Sequence, residues 1–244
     1  MGKRWRYMDI HTHIVPGIDD GASSMEEALK MAGMAYDEGI RVIVATPHYG
    51  LRNPGYDRDK AVKTCRQLRE KVMERHGDMK VYTGNEIYYS PGIVEDLDKK
   101  KALTIGGTSY VLIEFSVKEE LDVMINAVRS LVMAGYRPIL AHVERYEALQ
   151  KKLDEIKELI ELGAYIQVNT NSFMGGKFDK RTAWCTRLLR EGCIHFVASD
   201  CHNCTSRKPL MKTAVRRMIA LSDEETVERI VHTNVLKIVR NQYI

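Results

Sequence analysis

The chain predicts an α/β fold, either a closed or nearly closed barrel of parallel strands or, as the alternative, a doubly wound open sheet. Three observations lead there. Short apolar runs rich in β-branched residues alternate with longer segments of helical period, the pattern of βα units around a parallel sheet. No Pro-, Gly- or Ser-rich linker interrupts that alternation, so residues 1–244 are expected to form one domain. A length of 244 residues also suits a single α/β barrel, which commonly takes roughly 200–250.

The elements follow in order. Tyr7–Ile10 reads as the first strand and runs straight into His11. Ser24 is placed to cap a helix over Met25–Glu38 that closes at Gly39. Val42–Ala45 is the second strand, and Asp57 opens a charged helix through His76 that ends at Gly77. Lys80–Thr83 is the third. Gly106-Gly107-Thr108 is a turn into the fourth strand, Tyr110–Glu114, and not a phosphate loop, because no Gly-Lys-Ser/Thr follows and the next helix comes too late. Helices over Glu119–Ala134, Asp154–Leu162 and Lys180–Glu191 close at Gly135, Gly163 and Gly192. Between them lie strands Pro138–Ala141, Tyr165–Val168 and His195–Ala198, and two more helical stretches fill Ser206–Arg240.

Composition narrows the function classes. A net charge of +4 spread along the chain leaves no basic footprint for nucleic acid. The basic start, Met1–Arg6, lacks the apolar stretch of a signal peptide, and no window approaches the roughly 18 consecutive apolar residues of a membrane span, so direct membrane insertion is not expected. Five irregularly spaced cysteines fit reduced thiols in a cytoplasm better than a disulfide framework.

In α/β barrels the chemistry sits beyond the C-terminal ends of the strands. The first strand delivers His11 and His13, then Asp19 and Asp20 on a glycine-bounded turn; the second, His48; the third, Glu86; the fourth, Glu114. The fifth delivers His142 with Glu144 and Arg145 behind it, and the seventh Asp200 and His202. Only the sixth, ending Gln167-Val168-Asn169, offers nothing better than amides. A lone His after a strand is more often a hydrogen-bonded surface residue than a metal ligand, and Glu114 alone reads as a solvated strand end. Five of the eight His falling at strand ends is not explained that way. His76, His195 and His232 lie elsewhere and are read as structural. Imidazole and carboxylate donors without matching Cys suit Mn²⁺, Zn²⁺ or Fe, and so many donors suit two or three ions.

Taken together, Asp-Ile-His-Thr-His, Ala-Thr-Pro-His, Ile-Glu-Phe, Ala-His-Val-Glu-Arg-Tyr and Ala-Ser-Asp-x-His resemble the polymerase-and-histidinol-phosphatase (PHP) superfamily. His-Ile-Val-Pro-Gly-Ile-Asp-Asp-Gly followed by Ser-Met-Glu-Glu-Ala is similar to one branch, the manganese-dependent protein-tyrosine phosphatases of bacterial capsule and exopolysaccharide operons (CpsB/CapC-like). The resemblance runs from about Met8 to Arg207 and implies a distorted seven-stranded, TIM-like barrel. It implies three ions: one on His11, His13, Glu86 and Asp200; a second sharing Glu86 with Glu114 and His142; a third on Asp20, His48 and His202. Asp20 is informative, because many superfamily members place a His there. Arg145 and Arg207 match the phosphate-binding arginines, and the substrate implied is the phosphorylated tyrosine tail of a bacterial kinase. The loops 49–56, which carries Arg52, and 171–177 are candidates to contact that tail. Against the family pattern, residues 1–7 look like an extension, and Cys201 stands between two implied ligands.

Two rival chemistries accompany this reading. A histidinol-phosphate or other small-phosphomonoester phosphatase would use the same ligands. Cys201 to Arg207 also has the Cys-x₅-Arg spacing of thiol-based tyrosine phosphatases, but without the glycines such an oxyanion cradle wants. The general acid is not identified; Asp19 and Glu144 are weak candidates.

Overall fold

A computed structural model describes residues 6–176 and 178–244. All seven expected strands are present, as β1 (Tyr7–Thr12), β2 (Ile40–Ala45), β4 (Lys80–Thr83), β6 (Tyr110–Glu114), β7 (Arg137–Leu140), β8 (Tyr165–Asn169) and β9 (Phe196–Ala198). Two short ones are added: β3 (His48–Tyr49) and β5 (Glu86–Tyr88). They arise because the second and third expected strands each break and resume, the former across Thr46-Pro47 and the latter across Gly84-Asn85. Proline lacks the N–H that a continuous ladder needs.

Every pairing between these strands is parallel. Before the breaks the order is β1-β2-β4; after them it is β3-β5-β6-β7-β8-β9. The breaks therefore move the wall sideways at the level of His48 and Glu86. Past β9 the wall returns toward β1, where the Asp200 N–H donates to the His11 carbonyl (2.9 Å) and the His13 N–H to the Cys201 carbonyl (2.8 Å). This barrel-type α/β wall is the architecture the sequence predicts.

The helices are α1 (Met25–Asp37), α2 (Arg58–Arg75), α3 (Ile93–Asp98), α4 (Leu121–Met133), α5 (Leu153–Glu161), α6 (Lys180–Arg190), α7 (Lys212–Leu221), α8 (Glu224–Glu228) and α9 (Asn234–Val239). Ser24, Asp57 and Asp179 cap α1, α2 and α6 by accepting from Glu27, Lys60 and Thr182 N–H groups. The short α3 was not expected, and α4 starts at Leu121, two residues later than Glu119, without a side-chain cap. Residues 1–5 of the expected extension lie outside the described residues, and Tyr7 already belongs to β1. Lys177 of the loop 171–177 likewise lies outside them.

Strand alternation makes two cores. Met8, Ile10, Val42, Val44, Tyr110, Leu112, Ile139, Phe196 and Ala198 pack together inside the wall, closed by Val235 and Ile238 of α9. Their sequence neighbours, such as Ile43, Val111, Ile113, Leu140, Ile166 and Val197, face outward onto the helices. The inner core fills one end of the wall and leaves the C-terminal strand ends for polar groups.

Candidate metal centre

At those ends the side chains of His11, His13, Glu86, Glu114, His142, Asp200 and His202 are all buried. Glu86 is the hub. Its Oε1 lies 2.8 Å from His142 Nε2 and 3.2 Å from His11 Nε2, and its Oε2 lies 3.2 Å from His13 Nε2 and 3.0 Å from His48 Nδ1. Asp200 Oδ1 approaches His11 Nε2 at 3.4 Å and His13 Nε2 at 3.5 Å. Asp20, exposed at the rim, places Oδ1 3.5 Å from both His48 Nε2 and His202 Nε2. All nine expected donors are thus brought together.

Four groups have donor atoms mutually within 4.8 Å: His13, Asp20, His48 and His202; His11, His142 and Asp200; His11, His13 and Glu86; and His48, Glu86 and Glu114. This partition differs from the one implied by resemblance. His13 stands with the Asp20 group as well as with Glu86, His142 stands with Asp200, and His48 reaches two groups through its two ring nitrogens. No other group of three or more among the described residues has this character. His76 instead stacks on Tyr36, His195 Nδ1 accepts from the Ile166 N–H, and His232 Nδ1 meets the Arg6 carbonyl.

The residues fit divalent cations on two counts. His48 Nδ1, Glu86 Oε2 and His202 Nε2 are buried without a hydrogen-bond partner, a costly state for atoms that donate well to a metal. The electrostatics also show unmet negative charge. Burial opposes ionisation of Glu86, yet His11, His13 and His142 hold its carboxyl well below the usual carboxylate range. Burial likewise opposes a charge on His13, but Asp19 and Glu86 push its imidazole up to about 10. Protons here answer carboxylate charge that cations would otherwise meet.

Backbone irregularities aim the donors. His142 (φ 34°) and Asp200 (φ 52°) adopt left-handed conformations that are strained for non-glycine residues and cluster at functional sites. The β1–β2 register shifts between Asp9 and Thr12, at His11. Gly21 permits the turn after His13: a Cβ there would lie 1.9 Å from the His13 carbonyl oxygen.

Supporting groups complete the centre, and some were missed by sequence reasoning. Gln167 Oε1 accepts from the His142 N–H at 2.8 Å and faces His11 Nδ1 at 3.2 Å. Gln167 Nε2 donates to Asn169 Oδ1, and Asn169 Nδ2 donates to Asp200 Oδ2. The amides of the sixth expected strand therefore hold three donors in place. Their signal was period-two spacing at a strand end, which puts both on the inner face. Asp19 orients two of these residues: its Oδ2 meets His13 Nδ1 at 2.7 Å and accepts from the His48 N–H at 2.9 Å. Glu144 Oε1 accepts from the Asn169 N–H and the Ser172 hydroxyl, while its Oε2 is buried without a hydrogen-bond partner.

Arg145 Nη2 donates to Asp200 Oδ2 (2.5 Å) and Arg207 Nη2 to Asp200 Oδ1 (3.0 Å), with both side chains partly exposed at the rim. The thiol alternative fails on geometry. Cys201 is buried, and burial pushes its thiol up. The His202 and Asn203 N–H groups close onto the Arg207 carbonyl, and those of Thr205 and Arg207 onto Asn203 Oδ1, leaving no amide cradle.

A family model described as capsular polysaccharide synthesis, CpsB/CapC, matches residues 7–240. The chain belongs to the CpsB/CapC family. The tyrosine-protein phosphatase CpsB of Streptococcus pneumoniae is 33% identical over 242 residues, covering 97% of this chain and 100% of that protein. A solved structure from work on YwqE of Bacillus subtilis and CpsB of Streptococcus pneumoniae, described as unique metal-dependent tyrosine phosphatases, superposes with a TM-score of 0.89 at 31% identity. It covers 97% of this chain and 96% of the other. The phosphotriesterase homology protein of Escherichia coli shares the fold alone: TM-score 0.66 at 14% identity, covering 98% of this chain and 100% of that one. Among the described residues no helix is long and apolar enough to cross a membrane.

Proposed function

We propose that this chain is a metal-dependent protein-tyrosine phosphatase acting on the phosphorylated tyrosine tail of a bacterial kinase that regulates capsular or exopolysaccharide synthesis. The observation that carries the reading is the convergence of nine imidazole and carboxylate donors, with buried Glu86 at their hub and two arginines on Asp200 at the rim. Family membership and the names of the relatives support the substrate class.

His11, His13, Asp20, His48, Glu86, Glu114, His142, Asp200 and His202 would hold the ions. The donor set suits Mn²⁺, with Zn²⁺ or Fe as alternatives, and the shared donors suit three ions. Ions bound there supply a water of lowered pKa and neutralise charge on the phosphoryl oxygens. Asp19 and Gln167 fix the imidazole orientations. Arg145 and Arg207 each give one Nη2 to Asp200; their planar guanidinium groups can fork onto phosphoryl oxygens, and their partial exposure leaves them free to turn toward a bound phosphomonoester. Asp20 stands on the solvent side, where an extended tail can reach the centre without a deep pocket. The reading treats residues 1–244 as one domain, working in the cytoplasm without nucleic acid or membrane insertion.

The test compares Mn²⁺-dependent rates on a phosphotyrosine peptide, histidinol phosphate and a phosphodiester. The peptide should be hydrolysed fastest, EDTA should abolish turnover, and Cys201→Ser should stay within about threefold of the parent, because no step uses the thiol. Preference for histidinol phosphate would overturn the substrate class, and EDTA-resistant, Cys201-dependent turnover would overturn the mechanism.

A further inference from the structure

Arg52 sits on the loop between β3 and α2, within the segment 49–56 that the sequence offers as a contact for the substrate tail. In the structure its guanidinium forks onto Glu114, Nη2 donating to Oε1 (3.1 Å) and Nε to Oε2 (3.3 Å). Glu114 is buried, whereas the Arg52 side chain is 48% exposed, so the fork spans the boundary between the centre and solvent. Its Cζ also lies 5.3 Å from the centroid of the Tyr88 ring.

The loop beneath is anchored. Asn53 Nδ2 donates to the Ile18 carbonyl (2.8 Å), and the Asn53 and Tyr56 N–H groups close turns within the loop at 2.9 and 3.1 Å. Gly50, at φ 88°, lets the chain pass close to β5, since a Cβ there would stand 3.1 Å from the Tyr88 carbonyl oxygen. A long, half-exposed side chain on a fixed base can change partners without moving the loop.

We infer that Arg52 is a third phosphate-holding arginine, exchanging Glu114 for phosphoryl oxygens when the substrate enters. This rests on the phosphatase reading above. Glu114 stands with His48 and Glu86 in one donor group. Once Glu114 serves a cation, its attraction for the guanidinium falls and Arg52 becomes a positive group in need of an anion. A tetrahedral phosphoryl dianion can offer two of its oxygens to the guanidinium fork, as a carboxylate does. Arg145 and Arg207 approach from the Asp200 side and Arg52 from the Glu114 side, so the anion would be held from two directions.

The experiment uses the full chain and inorganic phosphate as the probe. Arg52→Ala should raise the phosphate inhibition constant and the KM for p-nitrophenyl phosphate by about 10-fold, with a smaller change in kcat. Arg52→Lys should recover only part of that loss, because an ammonium cannot fork. Calorimetric titration of Mn²⁺ into the metal-free chain supplies a readout independent of turnover. Phosphate should tighten Mn²⁺ binding in the parent, and Arg52→Ala should shrink that gain while changing binding without phosphate by less than about threefold. An unchanged phosphate constant and an undiminished gain would overturn the inference. So would a tenfold loss of Mn²⁺ affinity without phosphate, which would make Arg52 a structural support for Glu114. Failure of the phosphatase reading looks different: the parent itself would show no Mn²⁺-dependent turnover, while the calorimetric arm would still report on Arg52.

Discussion

The two ends of the strand wall are built from the same strands yet obey different rules. At one end Ile10, Val44, Tyr110, Leu112, Ile139 and Phe196 form an apolar plug closed by α9, and alternation alone sorts them inward. At the other end the same strands deliver four imidazoles and three carboxylates into a buried space, with left-handed residues, a register shift and unpartnered polar atoms. The plug gains free energy from burial, at about 25 cal/mol for each Å² of apolar surface removed from water. The polar end gathers like charges whose desolvation is unfavourable until cations arrive. One end stabilises the fold, and the other draws on that stability to hold a centre in a conformation it would not adopt alone.

That contrast can be broken first at its hub. Glu86 approaches His11, His13, His48 and His142, so Glu86→Gln should cut phosphatase turnover on the order of 10³-fold and lower the bound-metal content. Elemental analysis beside a p-nitrophenyl phosphate assay checks both, and turnover within tenfold of the parent would show that Glu86 is not the hub of the centre. A smaller effect is expected one layer back. Gln167→Leu keeps the side chain's bulk but leaves the His142 N–H and His11 Nδ1 without their shared acceptor, and should weaken metal binding by about 10–100-fold. Unchanged Mn²⁺ affinity by calorimetry would mean that the amides only fill space. The smallest effect on chemistry should come from the plug. Leu112→Ala should cost about 2–5 kcal/mol of stability in denaturant melts. Metal content and kcat of the folded fraction should stay within about twofold, and coupled losses of both would show that the two ends are not separable.

Much of this was legible in the sequence because it depends on local rules. The N-caps at Ser24 and Asp57 fall where short polar side chains precede helical periods, and the strand period sorts Leu112 and Ile139 inward and Val111 and Leu140 outward. The same period continues to Glu114, two residues beyond Leu112 on β6. The breaks after Ala45 and Thr83 were not legible as separate strands, because β3 and β5 are two and three residues long and owe their pairing to each other and to β6.

The sequence by itself determined which chemical groups stand at the strand ends: five imidazoles and four carboxylates, with two arginines close behind. It also determined the alternating wall that carries them. Only the tertiary structure decided how they share one space. Continued alternation from Ile10 and Ala141 would turn His11 and His142 to the outer face. The register shift in β1 and the left-handed turn at His142 bring them in instead, held by bonds to distant residues: Asp200 N–H to the His11 carbonyl, and His142 N–H to Gln167. The physical reason is range. A two-residue period is a property of the local chain, whereas a departure from it persists only where neighbouring strands supply partners for the backbone groups it displaces.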